Sequence, residues 1–199
     1  MMKNFIQKVM VIAVVASSLC SLAFAAKDFQ VENQPQVIEK AAQLELKGVL
    51  KQKDNGYLYI DVSNDFIAKT LPLIEAPGKI APPRHYACKK GIGAHISVMY
   101  ENEQITNEIW EIKELGQEFT FTVKELRTVK LNNHNKVRKL WLIAISSPEL
   151  EKLRESYGLS SLLKDRDFHI TIGTQVPGKP TIKCNESSLK TNKEEQKAA

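Results

Sequence analysis

The chain has 199 residues, of which 43% are hydrophobic and 26% are charged. This composition is ordinary for a soluble globular protein, and the length is that of one domain or two small lobes with a sizeable core. The 28 basic and 23 acidic residues leave a weak positive excess, which argues against the dense basic face that binding to a long nucleic acid duplex needs.

Residues 1–25 have the composition of a signal peptide. Lys3 and Lys8 supply a positive start, an apolar run follows over 9–24, and an Ala-Phe-Ala sequence fits a cleavage site. A retained membrane anchor is the alternative, but the run is at the short end for spanning a bilayer and no polar stop-transfer sequence follows it. We therefore expect a mature chain that begins near Ala26, is exported to the periplasm or secreted, and has no stable membrane insertion.

Export changes the interpretation of the cysteines and of the charge. Removal of Cys20 with the signal leaves Cys88 and Cys184. This is an even pair in a compartment that permits disulfides, so a bridge is one interpretation and two separate thiols are the other. The signal also carries two basic residues, which leaves 26 basic against 23 acidic residues and a net charge of +3. A small phosphorylated ligand or an RNA end fits this modest charge.

The first predicted elements are an arm and a hairpin. Residues 26–42 are polar with scattered apolar positions, which indicates an N-terminal arm with a short helix. Two alternating segments, 44–51 and 57–62, then flank the pair Asn55-Gly56. An Asn-Gly pair between alternating segments is a strong hairpin signal because both residues tolerate positive φ.

A helix and a long loop are predicted next. Asn64 or Asp65 is typical of a helix N-cap, and Pro72 should shorten or kink the helix that follows. Residues 75–93 are rich in Pro and Gly, and a loop of this length in a compact domain often covers or lines a site. Solvent exposure is the simpler interpretation of its basic residues, and for His85 we expect a structural role.

The chain contains one four-residue pattern twice, as His-Ile-Ser-Val from His95 and as His-Ile-Thr-Ile from His169. Both copies lie in segments that alternate like β-strands. In a strand, residues i and i+2 point to the same face, so each copy presents an imidazole beside the hydroxyl of Ser97 or Thr171. Two matched copies indicate a site that is built from both.

The remaining elements are strands and helices around these motifs. The expected strands are 94–100, 119–131, 140–145 and 168–174, and the expected helices are 104–115 and 148–157. The apolar run 140–145 indicates a central strand that is covered on both faces. Ser147 followed by Pro148 is typical of a helix start. The two-lobed folded domain is expected over 43–184, and a disordered tail over 185–199.

The two histidines indicate hydrolysis of a phosphodiester without a metal. This reaction needs a base that takes a proton from water and an acid that protonates the departing alkoxide, and imidazole suits both roles because its pKa lies near neutrality. We interpret His95 and His169 as this pair, with either residue able to fill either role. The hydroxyls of Ser97 and Thr171 could donate hydrogen bonds to non-bridging phosphate oxygens. One imidazole must be neutral and the other protonated, which predicts a bell-shaped pH dependence.

The twin motifs resemble the signature of the 2H phosphoesterase superfamily, His-x-Ser/Thr-x. That superfamily includes 2′,3′-cyclic phosphodiesterases and enzymes of RNA-end processing, and the resemblance, over roughly residues 44–176, is nearest to branches linked to RNA repair. It implies an α+β, bilobal fold in which two pseudo-symmetric antiparallel sheets form a central cleft with helices packed outside. It also implies that His95 and His169 are catalytic, that Ser97 and Thr171 bind the phosphate, and that no metal or other cofactor takes part.

Five further residues could hold a nucleobase or a phosphate, namely Tyr59, Lys89, Lys90, Tyr100 and Arg166. For each of them, packing or solvent exposure is the simpler interpretation. The expected ligand is a small nucleotide or an RNA-end phosphodiester, and the protein is expected to act as a monomer.

Two other functions compete with this interpretation. A metal site could use His85, His95, His134 and His169, but no His-x-x-x-His or paired cysteine spacing is present and no carboxylate lies in the motifs. His134 also lies in turn-forming residues, which favours exposure. The other function is an exported, non-catalytic module that binds nucleotides or proteins on the same fold.

Overall fold

The computed structural model describes residues 29–133 and 136–176. The predicted signal peptide and tail, His134 and Cys184 lie outside these residues. The strands are β1 (Gln30–Val31), β2 (Lys47–Gln52), β3 (Leu58–Val62), β4 (Lys79–Ala81), β5 (His95–Met99), β6 (Glu118–Thr120), β7 (Thr122–Asn133), β8 (Lys136–Ser146) and β9 (His169–Val176). The helices are α1 (Pro35–Ala42), α2 (Asp65–Ala68), α3 (Arg84–Ala87), α4 (Glu101–Thr106) and α5 (Pro148–Ser156), with a 3₁₀ turn at Leu71–Leu73.

The strands form one sheet in the order β1-β7-β8-β9-β5-β3-β2-β6, and β4 also pairs with β9. The antiparallel sheet and its helices agree with the predicted α+β class. The predicted separation into two sheets is not confirmed. The two motif strands, β5 and β9, are direct neighbours, and the pairing of Ile96 with Ile170 joins the two halves into one sheet.

The hydrophobic core lies on one face of the motif strands. Ile96, Val98, Ile170 and Ile172 are fully buried, and Leu150 of α5 belongs to the same cluster. Because side chains alternate between the faces of a strand, the histidines and hydroxyls of both motifs point to the opposite face.

The predicted central strand and the helix after it are confirmed. β8 lies between β7 and β9, and each residue of 141–145 has an exposed fraction of 7% or less. Ser147 caps α5 because its Oγ accepts the N–H of Leu150 at 3.3 Å, and Pro148 is the first helical residue.

The predicted hairpin joins β2 to β3, but its turn is displaced by one residue. Gly56 donates its N–H to the carbonyl of Lys53 at 2.8 Å, so Asp54 and Asn55 are the central residues of the turn. Within the Asn-Gly pair only Gly56 has a positive φ, of +91°. The glycine therefore follows the turn and lets the chain enter β3.

The helix predicted over 104–115 is wrong beyond its first turn. α4 ends at Thr106, and Glu108 has a φ of +54°, which lies outside the right-handed helical region. Ile109 and Ile112 are nevertheless buried. An irregular segment of the chain places these two side chains in the core, so their spacing does not require a helix.

The helix predicted after Asn64 is short, as the position of Pro72 indicated. α2 ends at Ala68 and Pro72 lies in the 3₁₀ turn. Asn64 precedes the helix, but its side chain makes no cap hydrogen bond. Its Oδ1 instead accepts the N–H of Ala94 at 2.8 Å, immediately before the first motif strand.

The predicted loop over 75–93 contains two short elements. β4 pairs with the end of β9, where Ile80 lies opposite Gln175. α3 then carries His85. This segment therefore crosses from the second motif strand toward the first.

No helix within the described residues is long and apolar enough to span a membrane.

Arg154 of α5 connects the end of β5 to its surroundings from inside the core. Its side chain is 1% exposed and forms an ion pair with Glu103 at 2.8 Å. It also donates to the carbonyls of Val98 at 2.6 Å and Ser160 at 2.8 Å. Because a buried guanidinium needs partners for its donors, these contacts hold β5, α4 and the chain after α5 in a fixed relation.

Candidate active site

The register between β5 and β9 places the two motifs side by side. In an antiparallel pair the neighbours of a register pair also face one another, and Ile96 is the partner of Ile170. His95 therefore lies opposite Thr171, and Ser97 lies opposite His169. All four side chains share the sheet face away from the core.

Both imidazoles are oriented by the same backbone contact. Nδ1 of His95 lies 2.9 Å from the carbonyl oxygen of Gly93, and Nδ1 of His169 lies 3.3 Å from that of Asp167, in each case two residues earlier. A carbonyl only accepts, so Nδ1 carries the proton and Nε2 of each neutral ring is an acceptor. Both Nε2 atoms are thus left for proton transfer.

Burial lowers the pKa of both histidines below the ordinary value of 6.5. For His95, burial is the main cause, and the charge of Lys53 adds to it against the opposing bond to Gly93. For His169, burial is again the main cause, and Arg127 lowers the pKa further. Both rings are therefore neutral at neutral pH in the free protein.

The hydroxyl of Ser97 is held by Tyr57. The two oxygens are 2.5 Å apart, and burial raises the pKa of Tyr57 to about 12, so the phenol stays protonated. The Tyr57 ring stacks on Tyr59 with centroids 5.7 Å apart and on Tyr100 with centroids 5.9 Å apart. These tyrosines and the edge-on ring of His95 form an aromatic cluster on one side of the motifs.

A third histidine contacts the first motif. The rings of His85 and His95 meet at 75° with centroids 4.4 Å apart. Burial, followed by the charge of His95, lowers the pKa of His85 to about 4. Its Nε2 is buried and has no hydrogen-bond partner among the described residues. His85 is therefore a neutral group packed against His95, a contact that the expected structural role did not specify.

The segment before each histidine is fixed by a further contact. Asp167 binds Arg127 at 2.6 Å and Lys124 at 2.9 Å. Burial opposes ionisation of Asp167, but these two cations hold its pKa below the usual value. On the other side, Gly93 has a φ of +74°, and a Cβ there would lie 2.5 Å from Oδ1 of Asn64. Both carbonyls that orient the imidazoles are thus built into constrained backbone.

A cavity of about 350 Å³ opens beside the motifs on the same face. Ser97 and His169 lie at its wall, so the cavity is continuous with the histidine site. Its lining also includes Tyr100, three cations, two carboxylates and a strip of aliphatic side chains from β7 and β8. A ligand in this cavity would contact an imidazole, a hydroxyl and an apolar surface at once.

One family model matches the chain over this site. It is described as the Swiss Army Knife, 2H phosphoesterase domain (2H-SAK), and it covers residues 58–177. The match spans more than half of the chain and includes both motifs. The chain belongs to the 2H phosphoesterase family. No curated protein and no solved structure matches it.

The family membership makes this protein a phosphodiester hydrolase. Among the described residues of this 2H phosphoesterase, no group of three or more His, Cys, Asp or Glu side chains is arranged to hold a metal ion.

The five further residues of this 2H phosphoesterase that could hold a nucleobase or a phosphate fall into two groups. Tyr59 lies edge-on to His95 with centroids 5.9 Å apart, and Tyr100 and Arg166 line the cavity. Lys89 and Lys90 are exposed in the turn after α3 and do not line it. This agrees with the solvent exposure expected for the two lysines, and a contact with substrate stays a prediction.

Sequence reasoning missed Tyr57 and His85 as neighbours of the site. Tyr57 lies two residues before Tyr59, and this spacing alone could have indicated a shared face. The position of His85 depends on how the segment 75–93 crosses the sheet, for which the sequence carries no comparable signal. Cys88 is disulfide-bonded, and because Cys20 and Cys184 lie outside the described residues, its pairing with Cys184 stays a prediction.

Proposed function

We propose that the protein hydrolyses small phosphodiesters without a metal ion, with His95 and His169 as a general acid and base pair. The observation that supports this most is the matched orientation of the two imidazoles. Each ring has Nδ1 on a backbone carbonyl, so that Nε2 is the acceptor of the neutral ring, and both rings lie on the same sheet face. Two such nitrogen atoms on adjacent strands can act on the attacking water and on the departing ester oxygen of one in-line displacement.

In this mechanism the neutral histidine takes a proton from water as the water oxygen attacks phosphorus. The protonated histidine gives its proton to the ester oxygen as the bond from phosphorus to that oxygen breaks. Ser97 and Thr171 donate hydrogen bonds to the non-bridging oxygens, whose charge increases during attack. Tyr57 is a positioning residue, because its hydroxyl contacts the hydroxyl of Ser97 and acts on the phosphate through it.

The substrates we propose are 2′,3′-cyclic nucleotides or RNA-end phosphodiesters. Their single phosphate suits a site with two imidazoles and two hydroxyls, and the aromatic cluster beside His95 offers a stacking surface for a nucleobase. We also propose that the protein is exported and acts as a monomer. Cys88 then pairs with Cys184. The two halves of the sheet act as lobes around the phosphate.

A panel of phosphodiesters in EDTA tests this function. Cyclic 2′,3′-nucleotides of each base and a short RNA with a 2′,3′-cyclic end are incubated with purified protein, and phosphorus NMR identifies the products. We expect turnover to a 2′- or 3′-phosphomonoester that EDTA does not reduce. Activity that disappears in EDTA and returns with added zinc would contradict the metal-free mechanism. Binding of the same compounds without any turnover would instead support the non-catalytic module.

A further inference from the structure

An aliphatic strip extends from the motif face across the next two strands. Val129 and Leu131 of β7 and Leu140, Leu142 and Ala144 of β8 line the cavity together. The strand registers make this strip continuous with the site, because Ala144 lies opposite His169, Leu142 opposite Thr171, and Leu140 opposite Val129. Alternation in paired strands keeps these side chains on the face that carries the histidines.

The strip is buried next to the motifs, where Leu142 is 7% and Ala144 is 1% exposed, and it becomes accessible farther along β7 and β8. Leu131 is 44% exposed, and Val129 and Leu140 are half-buried. Leu162 and Leu163 also line the cavity. An open apolar surface within a polar cavity is typical of a ligand site.

Charge is concentrated at the end of the cavity near His169. Arg127, Lys164 and Arg166 line that end together with Asp165 and Asp167. Arg127 is paired with Asp167 at 2.6 Å and with Glu125 at 2.7 Å, so the positive excess of the lining comes from Lys164 and Arg166, which stand against Asp165. The cavity thus has a positive end beside the imidazole and an apolar end along β7 and β8, which is complementary to an anion that carries a hydrocarbon group.

We propose that this cavity binds an aliphatic ester group of the phosphodiester substrate. The proposal rests on the proposed function, since the phosphate of that ester must lie at His95 and His169. A nucleobase fits the strip less well because the five side chains of its floor carry no hydrogen-bonding group, and buried ring nitrogens without partners are costly. A phosphodiester with one alkyl ester, whose chain lies along the strip, is then a substrate in addition to the nucleotides proposed above, whose base would lie at the aromatic cluster.

Calorimetric binding of two phosphate monoesters tests the cavity independently of turnover. The probes are methyl phosphate and n-hexyl phosphate, which differ by five methylene groups. Each buried methylene contributes at most about fourfold in affinity, and because the strip is partly open we expect hexyl phosphate to bind at least about tenfold more tightly. Dissociation constants within about threefold of each other would overturn the assignment.

Substitutions locate the binding to the strip. Leu131→Asn and Val129→Asn should each reduce the hexyl-to-methyl affinity ratio at least about threefold. Two variants are used so that the test remains valid if one of them does not fold. Ile105→Asn is the matched control, because Ile105 is 63% exposed on α4 and outside the cavity. It should keep the wild-type ratio. A ratio that falls equally in the control and in the strip variants would contradict the proposal.

A parallel hydrolysis assay separates this proposal from the proposed function. The substrates are methyl and n-hexyl p-nitrophenyl phosphate, in EDTA. A higher kcat/KM for the hexyl ester, with tighter hexyl phosphate binding, supports both. Equal rates with equal affinities overturn the aliphatic site and leave the phosphodiesterase function standing. Tight hexyl phosphate binding with no hydrolysis of either ester supports the site and contradicts the function.

Discussion

Ile96 of β5 lies opposite Ile170 of β9, and this pair sets the geometry of the site. It places His95 across from Thr171 and Ser97 across from His169. A slip of the register by one residue would turn one motif toward the core, since the side-chain period of a strand is two. The two buried isoleucines therefore act together with the core to keep both imidazoles on one face.

Tyr57→Phe should lower kcat about tenfold with little change in KM. The substitution keeps the stacked ring and removes the hydroxyl that binds Ser97 at 2.5 Å, and a hydrogen bond of this kind contributes about 0.5–1.5 kcal/mol. Steady-state kinetics on a cyclic nucleotide measure the effect.

Tyr157→Phe is the matched control for Tyr57→Phe. Its hydroxyl donates to Glu114 at 2.7 Å, away from the cavity, so the same atom is lost without a change at the site. An unchanged kcat in Tyr57→Phe, or an equal loss in both variants, would show that Tyr57 does not position Ser97.

The pH profile of kcat/KM should be bell-shaped with its maximum below pH 6.5. Burial lowers the pKa of both His95 and His169 in the free protein, and kcat/KM reports the free enzyme. The state in which one of the two histidines is protonated and the other is neutral is therefore most abundant below the ordinary histidine pKa of 6.5. A maximum above pH 7, measured in buffers of constant ionic strength, would contradict this assignment.

Arg154→Leu should destabilise the protein by about 3–5 kcal/mol, because it leaves the Glu103 carboxylate and the Val98 carbonyl without their buried partner. Urea unfolding measures the loss. Lys69→Leu removes an exposed pair with Asp65 and should cost less than about 0.5 kcal/mol. Similar losses in the two variants would mean that the buried network does not support β5.

The unfolding free energy should fall as the pH falls from 6.5 toward 4. The folded pKa of His85 is about 4, below the unfolded value of 6.5, so the unfolded chain binds the proton first and the stability that is present above pH 6.5 is lost. His85→Phe keeps an aromatic ring against His95 and removes this titration. It should reduce the loss between pH 7 and 4.5 by roughly 1–2 kcal/mol after allowance for partial exposure. An identical slope in the variant would show that His85 is exposed or protonated.

The sequence predicted the motif strands, the central strand and the cap at Ser147 because each depends on a local pattern of apolar residues or on one hydrogen bond between a side chain and the nearby backbone. It did not predict which elements meet in space. The register of Ile96 with Ile170, the approach of His85 and the aliphatic strip all depend on pairing between distant segments. The helix expected over 104–115 failed for a related reason, because apolar residues at helical spacing can also be buried by irregular chain.

The most direct test of the two-histidine mechanism is the turnover of a 2′,3′-cyclic nucleotide by His95→Ala and His169→Ala in EDTA. Each acid or base role contributes about 10²–10⁴-fold in rate, so kcat should fall at least about a hundredfold in each variant while urea unfolding shows that the fold persists. A folded variant of either histidine that retains the wild-type kcat would contradict the mechanism.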